Sequence, residues 1–460
     1  MAAAMVAAIV TISSNQNVDA AEKGVEGAGA SAIAHHAGAK VIPSNNKGPD
    51  PRLFRVGFGA GEPTVGITNE GNVFFAALPS AASKIVRSTD QGQTWEDVNP
   101  RLPSGQETHR ISLDPYVHVD EVEGVDRIFT IDLTVACSYM SFSDDEGESW
   151  ITNPLACGRP VNDHQTLFTG PPVSSVTPVY PNMVYYCWND VASSSCSKSI
   201  DGGLTFRPTG FPAYPGVKAD SAQFCGGLHG HGHVGPEGNV YLPREYCGQP
   251  WLAISPDEGT TWTNVQVAKN GAGDADPSVA TDRKGNIYYL YIGDNRLPYL
   301  VISKNQGKTW TKPLMVAPPG VKESNLPTID VSAPGKIALA YYGSDNSPFP
   351  RCKDECEDDH YAKTTWNGHM TISANALDAN PVFYSTTVND KRDPLKRITC
   401  GPGRCDTNVY DFIDIQIAPN GTVWGAFVDG CILVCASKDG TQDSGKDGVV
   451  GHLVGGPGLL

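Results

Sequence analysis

Three histidines stand two residues apart in Leu228-His229-Gly-His231-Gly-His233. Alternate residues on a strand share a face, so the three imidazoles are expected to point the same way. Two imidazoles on one face beside a carboxylate could hold a divalent metal, or one could act as a general base. A Gly-rich strand entry whose histidines bond to neighbouring loops would use the same residues, so both readings stay open. Other groups able to do chemistry are Glu62, Arg110, Asp163 with His164, Arg244, Asp276, and Tyr410 with Asp411. His229, His231, Asp163, Tyr410 and Glu62 are the candidates for catalytic work, and Arg110, His164, Arg244, Asp276 and Asp411 those for contact with a bound molecule. Acids and imidazoles suit proton transfer, a tyrosine hydroxyl suits nucleophilic attack, and a guanidinium suits a carboxylate. Scattered along most of the chain, these residues make a site only if the fold brings them together.

The elements that must do so are announced by a repeated motif. It reads Ser88-Thr-Asp90-Gln-Gly92-Gln-Thr94-Trp95, Ser143-Asp-Asp145-Glu-Gly147-Glu-Ser149-Trp150, Ser199-Ile-Asp201-Gly-Gly203-Leu-Thr205-Phe206, Ser255-Pro-Asp257-Glu-Gly259-Thr-Thr261-Trp262 and Ser303-Lys-Asn305-Gln-Gly307-Lys-Thr309-Trp310. Each copy suits a β-hairpin turn: the Asp or Asn accepts backbone N–H groups, Gly supplies positive φ, and the aromatic ring plugs between strands. Before most copies lies a pair of alternating apolar runs about a turn, such as Glu62 to Ala76 and Asp276 to Leu290. Two antiparallel strands plus the hairpin make a four-stranded unit, the blade of a β-propeller. Degenerate boxes at Ser373-Ala-Asn375 and Ser437-Lys-Asp439-Gly440 complete the count. Seven units emerge, beginning near Glu62, His109, Asp163, His229, Asp274, Asn325 and Tyr410. The fold class is therefore all-β, a single propeller over residues 51–460, with Leu53 to Phe58 able to close the ring as an outer strand of the last blade. These candidates open the innermost strands and would converge at one mouth of the channel, where polar residues also occur simply because such channels are wet.

The repeated box resembles the Asp-box of the sialidase (neuraminidase) superfamily of β-propellers. That resemblance implies boxes placed at the periphery, away from the active centre, and action on glycans; it favours six blades where the repeats favour seven. It also implies exo-α-sialidase chemistry: three arginines on the substrate carboxylate, the first in an Arg-Ile-Pro motif opening the first blade, a Tyr nucleophile with a partner Glu, and an Asp as acid/base. Here Glu62-Pro63-Thr64 stands in place of that motif, and a Glu there repels a carboxylated sugar. Arg55 is close in sequence but lacks the Pro; Arg110 and Arg244 can supply two arginines, and Tyr410, with Tyr341 and Tyr342 as rivals, the nucleophile. The resemblance thus covers architecture more than mechanism. Two other readings remain: a polysaccharide lyase on the same scaffold, using His229 and His231 with Tyr246 or Tyr410, and a non-catalytic propeller binding glycan or protein.

Composition narrows the class further. A net charge of −16 over 460 residues argues against a nucleic-acid backbone or an anionic membrane surface as partner, and no apolar run is long enough to span a bilayer. A monomer that meets a glycan is expected. Residues 1–20 read as a secretory leader, with an apolar run and a small-x-small site at Val18-Asp19-Ala20 but no basic start, and residues 21–50 as a flexible polar lead-in. Twelve cysteines agree with export and fall into six sequence-local pairs: Cys137/Cys157, Cys187/Cys196, Cys225/Cys247, Cys352/Cys356, Cys400/Cys405 and Cys431/Cys435. The acidic loop Asp354, Glu355, Glu357, Asp358 and Asp359 could bind Ca²⁺ or another divalent cation, or be a solvated loop without calcium spacing. No metal ligand set is assigned.

Overall fold

Seven antiparallel sheets follow one another along the chain and close into a seven-bladed β-propeller. The computed structural model describes residues 40–43, 48–79, 83–101, 104, 114–122, 124–134, 137–157, 162–173, 179–190, 193–217, 225–272, 276–348, 364–397, 399–401, 404–406, 412–432, 435 and 446–460. Blades 1 to 6 open with the inner strands Thr64–Ile67, Tyr116–Val122, Asp163–Gly170, His233–Val234, Ser278–Thr281 and Glu323–Ala333, and blade 7 with Asp414–Ile417. Each is followed by two or three strands further out, in sequence order. The second strands, such as Val73–Ala77, Met183–Asn189, Val240–Tyr246 and Ile287–Ile292, are buried at every residue. They are pressed between neighbouring blades on both faces, which is why they read as nearly continuous apolar runs rather than as alternating ones.

Closure comes from the N-terminal side. Asp50–Arg55 pairs antiparallel with Asp447–Val454 and forms the outer strand of blade 7, three residues earlier than the Leu53–Phe58 expected. Arg55 fixes the joint through Asp429 at 2.6 Å and Asp447 at 3.0 Å. Upstream, Lys40–Pro43, within the stretch read as a lead-in, adds a parallel strand to Val382–Ser385 on blade 6.

Inner strands leave one row of backbone groups without a ladder partner, and a buried N–H left unpaired costs about 1–3 kcal/mol. The ring meets this need in the same way at all seven junctions. The following blade donates a backbone N–H to the preceding blade: Val117 to Thr64 Oγ1, His164 to Asp114 Oδ2, Gly232 to Thr166 Oγ1, and Val279 to the His231 carbonyl. Ile329 then donates to Ser278 Oγ, Ile417 to Asp330 Oδ2, and Val65 to Asp414 Oδ2. Six of the seven acceptors are side chains, so at six of the junctions the register of blade against blade is set by short polar residues in or just ahead of the inner strand.

The five boxes are built alike. In the second, Ser143 Oγ donates to Asp145 Oδ1, Asp145 Oδ1 accepts Ser149 N–H at 2.9 Å, Asp145 Oδ2 accepts Ser149 Oγ at 2.6 Å, and Gly147 N–H donates to Ser143 Oγ at 2.8 Å. The same bonds recur about Asp90, Asp201 and Asp257; at Asn305, Oδ1 likewise accepts Thr309 N–H, but Nδ2 donates to Thr309 Oγ1 instead of accepting from it. Gly147 takes φ +86° against Val98 and Phe74 of blade 1, and Trp150 Nε1 donates to the Val98 carbonyl, so this hairpin also clips its blade to the one before. The degenerate box keeps only a loose version, with Asn375 Oδ1 accepting Val382 N–H; Ser437 to Gly440 lie outside the described residues.

Among the described residues, three of the cysteine pairs form disulfides: Cys187–Cys196, Cys225–Cys247 and Cys431–Cys435. Backbone register sets Cys137 opposite Cys157 and Cys400 opposite Cys405. Cys352, Cys356 and the acidic loop lie outside the described residues. No helix among the described residues is long and apolar enough to cross a membrane.

Candidate functional site

Because strand direction alternates, the box hairpins, which join third to fourth strands, lie at the end of the ring opposite the heads of the inner strands. The boxes are therefore remote from any site at those heads. Their aspartates owe depressed pKa values to the turn itself: at Asp90, the Thr94 hydroxyl and N–H hold the carboxyl at about 2.

At the inner-strand heads, side chains from five blades close on one another. Tyr116 opens blade 2, His164 blade 3, His229 and His231 precede the inner strand of blade 4, Asp276 precedes that of blade 5, and Phe412 that of blade 7. The ring of Phe412 stands 5.3 Å from His164, 5.5 Å from His231 and 6.3 Å from Tyr116, and His164 meets His229 edge to face at 5.6 Å. Tyr116, His164, His229 and Phe412 are all buried. Together they plug the channel at this level.

The bonding of His231 shows how firmly. Tyr116 Oη lies 2.7 Å from its Nδ1, and its Nε2 lies 3.1 Å from the Ile413 carbonyl. A carbonyl can only accept, so Nε2 carries the proton and Nδ1 accepts from the tyrosine. Burial pushes the imidazole down to about 4, so it stays neutral at pH 7. His231 thus ties blades 2, 4 and 7 together with both nitrogens engaged. Tyr116 is buried too, and burial plus the charge of Asp414 raise its hydroxyl pKa. His229 is fully buried with its pKa held well below the usual value, first by desolvation and then by His164, and its Nδ1 lies 3.1 Å from the Gly230 carbonyl. His233 stands apart, with Nδ1 3.1 Å from Thr281 Oγ1. Only His233 of the three is on a strand. The reason is local: a Cβ at Gly230 would strike the Pro277 carbonyl, and one at Gly232 the Phe168 ring, so these glycines admit close neighbours instead of continuing a ladder.

Polar groups surround the plug. His164 Nε2 is 2.9 Å from Asp276 Oδ2, and the Asp276 side chain remains 15% exposed. Arg244 is 2% exposed and bridges by its backbone to His229. Its guanidinium lies over the rings of Tyr214 and Tyr246, and Nη1 donates to Ser194 Oγ at 2.8 Å. Among the described residues no carboxylate pairs with it and its Nε has no hydrogen-bond partner. Desolvation lowers its pKa to about 10, so it remains a cation. Glu62, His164 and Leu326 adopt φ of +50°, +46° and +53°, each two residues before Thr64, Thr166 and Thr328. Left-handed backbone at a non-glycine residue is uncommon, and bulges beside His164 and Leu326 re-aim side chains at the inner-strand heads.

The structure therefore brings His164, His229, His231, Asp276 and Arg244 into one cluster, with Asp163 next to His164 at the head of the same strand and Glu62 just ahead of the inner strand of blade 1. Arg110, Tyr410 and Asp411 lie outside the described residues. Tyr341 is buried in a stack with His369, and the hydroxyls of Tyr342 and Tyr246 donate to the carbonyls of Val428 and Pro215. Sequence reasoning missed Tyr116, Phe412 and Asp414; each lies at or just ahead of an inner strand, which is the signal that could have found them. Among the described residues no group of three or more His, Cys, Asp or Glu side chains is placed to hold a metal ion.

No family model and no curated protein matches the chain. Solved structures do. A Hadza microbial sialidase is 18% identical, over 62% of this chain and 63% of that one, at a TM-score of 0.40. Phage phi92 endosialidase is 12% identical over 89% and 70%, at 0.44. Trypanosoma rangeli sialidase, in complex with 2,3-difluorosialic acid, is 13% identical over 76% and 56%, at 0.40. The chain thus spans less than two thirds of the Hadza and trypanosomal chains.

Proposed function

We propose that this protein is a secreted, sialidase-like β-propeller that acts on glycans and holds an acidic sugar at the inner-strand end of the ring. Arg244 carries the reading. A buried guanidinium normally has a carboxylate partner, because removing its charge from water costs several kcal/mol. This one has two tyrosine faces and a serine, sits beside the channel plug, and keeps a donor unspent among the described residues. An anionic ligand would complete its shell. Disulfides between sequence-local cysteines support an oxidising, extracellular setting.

Recognition is favoured over hydrolysis by the buried tyrosine at the inner-strand heads. Tyr116 spends its proton on His231, and its pKa is raised rather than lowered, the reverse of an activated nucleophile. The lyase reading would require His231 Nδ1 to give up its bond from Tyr116. Hydrolysis of an α-sialoside keeps one specific support, the partly exposed carboxylate of Asp276 beside His164, in the place of an acid/base; Tyr410 would then be its nucleophile. Titration calorimetry with sialyllactose, beside release of fluorophore from an α-sialoside, tests both. Binding that Arg244→Lys weakens at least tenfold, with unchanged thermal unfolding, supports the site; turnover lost in Asp276→Asn adds hydrolysis. Absence of both binding and turnover overturns the proposal.

A further inference from the structure

The opposite end of the ring carries a second surface. Val125 is 58% exposed, Val179 84% and Leu204 46%. These side chains belong to one patch. Val125 and Arg127 alternate on the same face of a strand in blade 2, and Arg127 Nη1 donates to the Gly202 carbonyl of blade 3 at 2.9 Å. The Arg127 guanidinium lies over Tyr180, next to Val179, whose N–H donates to the Ile200 carbonyl at the start of the hairpin that carries Leu204. Arg127 is itself neutralised by Asp144 at 2.6 Å.

Beside this apolar strip lies a run of carboxylates. Glu121 and Asp126 face each other across the Val125 turn, and Asn69, next to Glu70, donates to Asp126 through its N–H at 2.7 Å and its amide at 2.9 Å. Asn72 links Glu146 to the same group at 3.2 Å. Glu70, Glu121, Asp126 and Glu146 have no cationic partner among the described residues. Desolvation, then repulsion from one another, raises the pKa of Asp126 and Glu146. The folded chain thus holds like charges together, at a cost that an incoming cation would relieve, and the carboxylates are not grouped to hold a metal.

We propose that the box-bearing end of blades 1 to 3 is a docking surface for a basic, amphipathic segment of a partner protein. Its apolar face would cover Val125, Val179 and Leu204, and its lysines or arginines would meet Glu70, Glu121, Asp126 and Glu146. Charge complementarity selects this occupant: a second copy of a chain of net charge −16 would bring its own carboxylates against these. The surface is independent of the glycan reading, since it lies at the other end of the ring.

The probe is a fluorescent 14-residue Leu/Lys peptide with one apolar helical face, followed by anisotropy at low and physiological salt. Saturable binding is expected, weakened at least tenfold by Val179→Ser with Leu204→Ser and by Asp126→Asn with Glu146→Gln. A peptide of the same composition with its leucines scattered should bind at least tenfold more weakly. Asp345→Asn with Asp378→Asn, exposed carboxylates of blade 6, should leave binding unchanged. Thermal unfolding checks that each variant is folded. Absent binding, or binding that the blade 6 pair weakens as much as the patch variants do, overturns the proposal. So does a dimer in sedimentation that Val179→Ser dissolves, which would make the occupant a second copy.

Discussion

Asp414→Asn should remove a pH dependence that works against the folded state above neutrality. Asp414 is buried at the joint between blades 7 and 1, accepting Ile415 N–H at 2.8 Å on one oxygen and Val65 N–H at 3.1 Å on the other. Those donors favour the carboxylate, but burial outweighs them, and with repulsion from Asp330 it lifts the pKa to about 7. The folded value lies above the unfolded value of about 3.9, so this group's stabilising contribution is full below about pH 4 and is lost as pH rises through about 7. Between pH 5 and pH 8 the loss integrates to roughly 2.5 kcal/mol. Asparagine, like the protonated acid, is neutral with one acceptor oxygen, and carries no such slope. Buried histidines with lowered pKa, such as His229, His231 and His233, run the other way, stabilising the fold above about 6.5 and losing that contribution as pH falls. They are common to both proteins and cancel in the difference. Urea unfolding of native and variant protein from pH 5 to pH 8 should therefore show the variant gaining on the native by roughly 2.5 kcal/mol. A difference constant to within about 0.5 kcal/mol would refute the reasoning and mean that the two N–H donors compensate the buried charge in full.

Three further outcomes follow from the same contacts. Asp145→Ala strips the second box of its bonds to Ser143 and Ser149 and should lower unfolding free energy by about 1–2 kcal/mol in urea, without altering any glycan binding. Gly170→Val drives a Cβ into Val234 where blades 3 and 4 meet, and should cost about 3 kcal/mol or more by the same measurement. The His231 ring should remain neutral and protonated on Nε2 at pH 5 in nitrogen-15 spectra, charging only near 4, whereas an imidazole open to solvent would titrate near 6.5.

What could be read in the sequence is what closes over a few residues. Each box contains its own donors and acceptors within eight positions, so Ser143, Asp145, Gly147 and Ser149 announce their turn without help from the rest of the chain. The hairpin about Gly71 and the disulfide of Cys187 with Cys196 are local in the same sense, and together they yield the blade count. The junctions are different. Nothing about Thr64, Asp114, Ser278 or Asp330 marks it as the acceptor for the next blade, because each partner is a backbone N–H about 50 or more residues away. Lys40–Pro43 pairs with residues still more distant, and no alternation in its four residues predicts a parallel partner. The histidine run misled for a related reason, since Gly230 and Gly232 answer to Pro277 and Phe168 of other blades.

The plug decides where a ligand is met. Were the channel open, the polar residues at its head could act on a molecule threaded into it, and a wet channel would explain them equally well. Instead Tyr116, His164, His231 and Phe412 fill that level in mutual contact, and the two bonds of His231 lock blade 4 to blades 2 and 7. On the proposed reading a ligand would be met at the mouth, where recognition would depend on charge and donors that reach its rim. Of the described groups, Asp276 keeps solvent access and Arg244 keeps an unspent donor beside it, one of each sign. With His229 and His231 uncharged, Arg244 is the one positive charge among these three, and it is its field that would favour an anion there.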